Sequence, residues 1–287
     1  MARKLFCELN SFTFAISVWK MRTTRHIKNW REKIDFAETK SNEGEKLPFV
    51  ICEYHSVLRR KHGNVGMDLQ EGKAHNVSIS APKINGILIK PNEVFSFWHL
   101  VGLCAKSRGY RESLTIVSGK PAITVGGGMC HFTNLIHWLV LHSPLDIVEH
   151  HNHDSVDIFP DDGRKIPFGC GTSIVYNYLD YRFKNNTNST FQIITYTTDE
   201  HLYGELRVSS PQDFDYRICE EDAHFIKVGN DYYRKNKIVR QVLDKHTGNE
   251  LKREIIRQSH AKVMYDEKYI NPDMVNPQLD SFPVNNF

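Results

Sequence analysis

Apolar positions along this chain change their period several times, and each change predicts an element. In the first 45 residues Ile27, Trp30, Ile34 and Phe36 recur at loose helical spacing, which predicts a helical segment running into the polar, glycine-containing stretch KSNEGEK. The run NVSISAPKINGILIK reads as helix or strand and then as a strand through Ile87–Ile89, with Pro91 and Asn92 marking a turn. ESLTIVSGKPAITVGGG reads as strand, Ser-Gly-Lys-Pro turn and strand. From Cys130 the period becomes helical: Phe132, Leu135, Ile136, Leu139 and Val140 fill one stripe, and Trp138 and Leu141 add apolar area off it. That predicts a helix buried nearly all round and closed before Pro144. TSIVYNYLDYRFKNNTNSTFQIITYT predicts two antiparallel strands about a turn at Asn185 to Ser189. Further strands follow to about residue 270, broken at Gly229-Asn230 and at Thr247-Gly248-Asn249, and a Pro/Asn-rich tail ends the chain.

The expected fold class is therefore α+β, with one central buried helix starting at the GGG-x-C motif and packed on a mainly antiparallel sheet. The expected divisions are an N-terminal helical segment (1–45), a core domain (46–200), a β-rich extension (201–270) and a flexible tail (271–287).

Composition narrows the function classes. The 287 residues are 40% hydrophobic and 25% charged, an ordinary globular balance with enough chain for a sizeable core. A formal net charge of +3 is too small to argue for nucleic acid. The six cysteines are scattered with no C-x-x-C pair, which excludes a zinc ribbon and makes reduced thiols the default. The uncharged run from Leu9 to Trp19 falls short of the about 20 apolar residues a membrane span needs, and no A-x-A-like cleavage site follows it. The expectation is a cytoplasmic protein without a signal peptide or transmembrane helix, with extracytoplasmic action as the alternative if the N-terminus is an atypical targeting segment. Neither G-x-G-x-x-G nor G-x-x-x-x-G-K-[ST] occurs, so no nucleotide loop is predicted, and no cofactor is expected.

The stretch TVGGGMC raises the question of chemistry. Glycines 126 to 128 permit positive φ and close backbone approach. A helix opening at Cys130 sets its thiol among unpaired N–H groups at the positive end of the dipole, where a thiolate is favoured. Backbone groups from Gly127 and Gly128 to His131 could then receive an oxyanion. The competing reading is a glycine turn with Cys130 as core filler. A thiolate nucleophile needs a base. His131 points about 100° away from Cys130, and His137 sits about 10 Å along the axis. The better source is EHHNHDS, where His151 and His153 share one face of an extended chain. Asn177 and Asp180 are candidates to orient the base. Zinc is the rival use of these groups, with His151, His153, Cys130 and Cys170 as a set of irregular spacing; no metal is the preferred reading. Arg164, in a turn, suits a substrate carboxylate, and Tyr110, beside Arg108 and Arg111 in KSRGYRES, is a weaker binding candidate.

Several of these motifs occur together: FSFWHLVG, RGYRES, VGGGMC, EHHNHDS, then Gly163-Arg164 and Asp180, Arg182, Phe183, Lys184 and Asn185. Over about residues 80 to 190 the combination resembles the VanW domain family. The resemblance implies an association with glycopeptide resistance, and exported relatives carrying the domain imply cysteine L,D-transpeptidase chemistry on peptidoglycan stem peptides or precursors; the alternative is a non-catalytic accessory protein that binds cell-wall precursors or a pathway partner. In that chemistry the nucleophile maps onto Cys130 and the histidine onto His153, with His151 as rival. Many members have Gln where this chain has His131, and Asp154 separates His153 from Ser155.

Overall fold

A computed structural model describes residues 5–59, 66–117, 120–152, 156–161 and 165–276. The elements are α1 (Ser11–Arg31), β1 (Phe49–Val57), α2 (Met67–Ile84), β2 (Ile87–Ile89), β3 (Val94–Ser96), α3 (Phe97–Val101), β4 (Glu112–Val117), β5 (Lys120–Val125), α4 (Met129–Leu141), β6 (Asp146–Glu149), β7 (Val156–Asp157), β8 (Arg182–Lys184), β9 (Phe191–Thr197), β10 (His201–Val208), β11 (Phe214–Val228), β12 (Asp231–Asp244) and β13 (Glu250–Val263). The mix of helices with mainly antiparallel sheets is the expected α+β class.

The core is a sheet of order β1-β10-β9-β2, covered by α4 over β1 and β10 and by α2 over β9. Burial alternates residue by residue along β10, as it must when only one face is covered. Gly204 lies on the covered face, and a Cβ there would strike Leu135 and Leu139 of α4. The missing side chain lets the helix approach the sheet closely. The stripe expected on α4 is the one found: Phe132, Leu135, Ile136, Leu139 and Val140 are fully or almost fully buried.

The sequence from 172 to 197 does not form the expected hairpin. β8 pairs with β3 and β6 in a second sheet, whereas β9 joins the core sheet. The turn is present, but buried Asn185 ties it to β2 instead, donating to the Ile89 and Ser189 carbonyls at 2.9 and 2.7 Å. The chain is thereby passed from one sheet to the other, and Phe183 and Phe191 bury their rings on different strand sets.

The first 45 residues are helical only to Arg31. A capping box at Asn10 and Thr13 starts α1. Beyond it, Phe36 bridges to Val94 and stacks on His99 at 4.4 Å. Ile27 and Trp30 do not face the core. At the other end, β10 belongs to the core sheet, and the long antiparallel strands β11, β12 and β13 form a further sheet that β7 joins in parallel. Its turns fall at Gly229-Asn230 and at residues 245–249, as the sequence predicts. Of the expected tail, 277–287 lie outside the described residues, as do Ser118 and Gly119 of the β4–β5 turn.

Candidate active site

The GGGMC stretch builds a tight turn between β5 and α4. Gly126 and Gly128 have φ of +80° and +97°, the left-handed region that costs other residues about 1–2 kcal/mol. The space a side chain would need is already taken by protein. A Cβ on Gly128 would lie 2.5 Å from Cγ of Lys73, and one on Gly127 would lie 2.7 Å from the Ser113 carbonyl oxygen. The Gly127 carbonyl accepts from Asn76 Nδ2 at 2.9 Å. These glycines therefore pack the turn against α2 and β4, and Gly127 does not border the cleft described next.

That cleft, of about 320 Å³, opens beside the start of α4, within the size range of small-ligand sites. Its walls are β1 (Tyr54, Ser56), β4 (Ser113–Thr115), α2 (Lys73), α4 (Cys130, His131, Asn134), the segment Ile166–Thr172 and β13 (Arg257, Ser259). Cys130 is the second residue of α4, so the N–H groups of Met129 and Cys130 have no partner within the helix. The His131 N–H donates to the Gly128 carbonyl at 3.0 Å and is not available to a ligand.

Burial pushes the Cys130 thiol above its ordinary value, outweighing the N–H groups of Ile174 and of Cys130 itself that point at the sulfur. Part of the residue faces the cleft, yet enough protein surrounds the sulfur that desolvation dominates the helix dipole.

The other sequence candidates scatter. His131 lines the cleft and its Nε2 lies 2.7 Å from Ser56 Oγ. His151 is turned to Glu149 Oε1, 3.1 Å away, on the side where Arg25 of α1 forms a fork with the same carboxylate at 2.5 and 2.6 Å. Burial opposes ionisation of Glu149, but Arg25, the Asp180 N–H and His151 hold its carboxyl below the ordinary value. His150 stacks on buried His137 at 4.2 Å and contacts the Gly171 carbonyl at 2.9 Å. No described histidine is hydrogen-bonded to the Cys130 sulfur. His153 and Arg164 lie outside the described residues, although Asn152 and Val156, on either side of 153–155, both line the cleft.

Asp180 is fully buried and accepts four hydrogen bonds, from Ser96 Oγ (2.5 Å), Trp98 N (3.0 Å), Tyr181 N (2.9 Å) and Arg182 Nε (2.7 Å). None comes from a histidine. Tyr110 is buried beside Ser80 and Lys83, whose polar atoms lie 2.9 and 3.0 Å from its hydroxyl. Burial pushes it up to about 12, and it does not line the cleft. Among the described residues no group of three His, Cys, Asp or Glu side chains is close enough to hold a metal.

Sequence reasoning passed over Asn134, Thr172, Lys73 and Arg257. Asn134 Oδ1 accepts from Thr172 N at 2.7 Å and Thr172 Oγ1 at 2.8 Å, and Thr172 Oγ1 also lies 3.3 Å from the Cys130 carbonyl. Asn134 had a signal, since it stands one turn after Cys130 on the same face. Lys73 and Arg257 had none, because they reach the cleft only through tertiary packing.

Comparison with known proteins agrees with the motif pattern. The family described as VanW like protein matches residues 72–207. The vancomycin B-type resistance protein VanW of Enterococcus faecalis is 31% identical over 223 residues, 77% of this chain and 81% of that protein. The uncharacterized protein YoaR of Bacillus subtilis is 30% identical over 126 residues, 43% of this chain and 39% of that one. No solved structure matches. Identity over most of both chains, with the GGG-x-C turn inside the matched region, makes this chain a member of the VanW family.

Proposed function

We propose that this protein acts in glycopeptide resistance, as the name of its Enterococcus relative indicates, by cysteine-dependent acyl transfer on peptidoglycan stem peptides or their precursors. The observation that carries the proposal is the placement of Cys130 at the start of α4, opening on a cleft that also holds Lys73 and Arg257. Two cationic side chains suit the carboxylates of a stem peptide.

In this reading Cys130 sulfur attacks the carbonyl carbon of the scissile peptide or ester bond, and its proton passes to His153. The N–H groups of Met129 and Cys130 receive the developing oxyanion. Collapse of the tetrahedral intermediate breaks the bond to D-Ala or D-Lac, which leaves with the proton, and a thioester remains. An acceptor amine then attacks the thioester and returns the thiol. Burial raises the Cys130 thiol above its ordinary value and so disfavours a free thiolate, and the base takes the proton as the sulfur attacks.

Incubation with a synthetic stem peptide, followed by intact-mass measurement, tests this. The expected result is an acyl adduct that maps to Cys130 and is absent from Cys130→Ser. The raised thiol value and the lack of a described histidine on the sulfur favour a second reading, a non-catalytic precursor-binding protein. Saturable peptide binding with neither adduct nor product would select it and overturn the first.

A further inference from the structure

The outward side of α1 carries an apolar stripe that no described residue covers. Phe12, Ile16, Trp19, Ile27 and Trp30 fall within about 80° of helix surface at 100° per residue. Phe12 is 74% exposed, Trp19 69% and Trp30 80%. Single exposed apolar residues are ordinary, but a contiguous stripe with two tryptophans is not.

The charge of the same helix says what covers it. Residues 11–31 contain Lys20, Arg22, Arg25, Lys28 and Arg31 and no Asp or Glu. Arg22 and Arg25 are turned to the body of the protein, where Arg22 Nε donates to the Tyr176 carbonyl at 3.0 Å and Arg25 pairs with Glu149. Asn29 accepts from Arg182 at 2.9 Å on that same side. Lys20, Lys28 and Arg31 remain exposed beside the stripe. Aromatic residues next to basic ones, on a helix whose residues 22–29 are tied to a folded body, are the pattern of a helix lying in a bilayer interface. Among the described residues no helix is long and apolar enough to cross a membrane. A second copy would set Lys20, Lys28 and Arg31 of one helix against their counterparts, with no acidic residue within 11–31 of either copy and Glu32, at the C-cap, 3.8 Å from its own Lys28.

We propose that α1 seats the protein on an anionic lipid surface, with Phe12, Trp19 and Trp30 inserted among the acyl chains and Lys20, Lys28 and Arg31 at the phosphate level. The test is co-sedimentation of the full chain with vesicles of phosphatidylcholine, with and without phosphatidylglycerol. Binding is expected only with phosphatidylglycerol and is expected to weaken as salt is raised. Trp19→Ser with Trp30→Ser should weaken binding at least about tenfold through lost aromatic burial, and charge reversal at Lys20, Lys28 and Arg31 should abolish it. All these positions are exposed, so the variants should keep the wild-type circular dichroism. No sedimentation with phosphatidylglycerol at low salt, or equal sedimentation of the tryptophan variant, would overturn the proposal. So would a solution dimer that the tryptophan variant dissociates, which would assign the stripe to a second copy.

Discussion

Replacing Asp180 separates a structural role from a catalytic one. The carboxylate is fully buried, and its four donors come from β3, the first turn of α3, its own neighbour Tyr181 and Arg182 of β8. Asp180→Ala would orphan the Trp98 and Tyr181 N–H groups and remove the closest anion from a guanidinium that is itself buried. Arg182 would keep Asn29 at 2.9 Å and the more distant Glu149 at 3.6 Å. Breaking a buried charge pair from one side costs about 3–5 kcal/mol. Asp180→Asn keeps one oxygen for the two amides but faces an NH2 group toward Ser96 and Arg182, so it should cost less than Ala and still at least about 1.5 kcal/mol. Urea unfolding followed by circular dichroism reads both values, with an unchanged slope showing that the transition itself is the same. If Asp180 instead oriented a catalytic base, the Asn variant would fold normally and lose only turnover. A loss of stability under about 1 kcal/mol for Ala would refute the structural assignment.

Other expectations follow from the same geometry. Burial holds His137, His142 and His150 below the ordinary 6.5, so as pH falls through that value the unfolded chain binds more protons than the folded one and stability drops; a flat urea midpoint between pH 8 and 5 would contradict this. Alkylation of Cys130 followed by intact mass should keep accelerating above the ordinary thiol range, whereas a plateau near neutrality would show a thiolate that burial does not permit. Gly204→Ala should cost about 1–3 kcal/mol by pressing on Leu135 and Leu139, and Leu135→Ala in the same chain should relieve part of that cost; additive losses would count against the close approach of α4 to β10. Under the acyl-transfer proposal, Arg257→Gln should weaken stem-peptide binding by about tenfold, measured by calorimetry, and unchanged affinity would remove it from the site.

What could be read from the sequence was local. The α4 stripe is a property of consecutive residues, and so are the turns at Gly229 and Gly248, which carry their own positive-φ glycines. Partner choice between strands was not local. Nothing within 172–197 announces that Asn185 will bond to the Ile89 carbonyl, and without that contact the segment reads as a plain hairpin. The site divides in the same way. Cys130 stands out by its glycines and helix start, but its ionisation depends on neighbours such as Ile174, far along the chain. Asp180 was visible as a polar residue near a histidine-rich segment, and only the fold shows its oxygens filled by Ser96, Trp98, Tyr181 and Arg182. The exposed face of α1 illustrates the converse: the helical spacing of Ile27 and Trp30 was legible, but which way they face was not, and both point out.

The strand that brings Arg257 and Ser259 to the cleft lies beyond residue 207, where the family match stops. The thiol and the helix that presents it lie inside that match, while the facing side is furnished by a further sheet, in which β13 pairs with β7 in parallel. The two sides are not independent, because Leu141 and Trp138 of α4 share an apolar cluster with Ile218, Ile238 and Ile256 of that sheet. Remodelling β11–β13 would therefore reshape the cleft and the seat of the helix together.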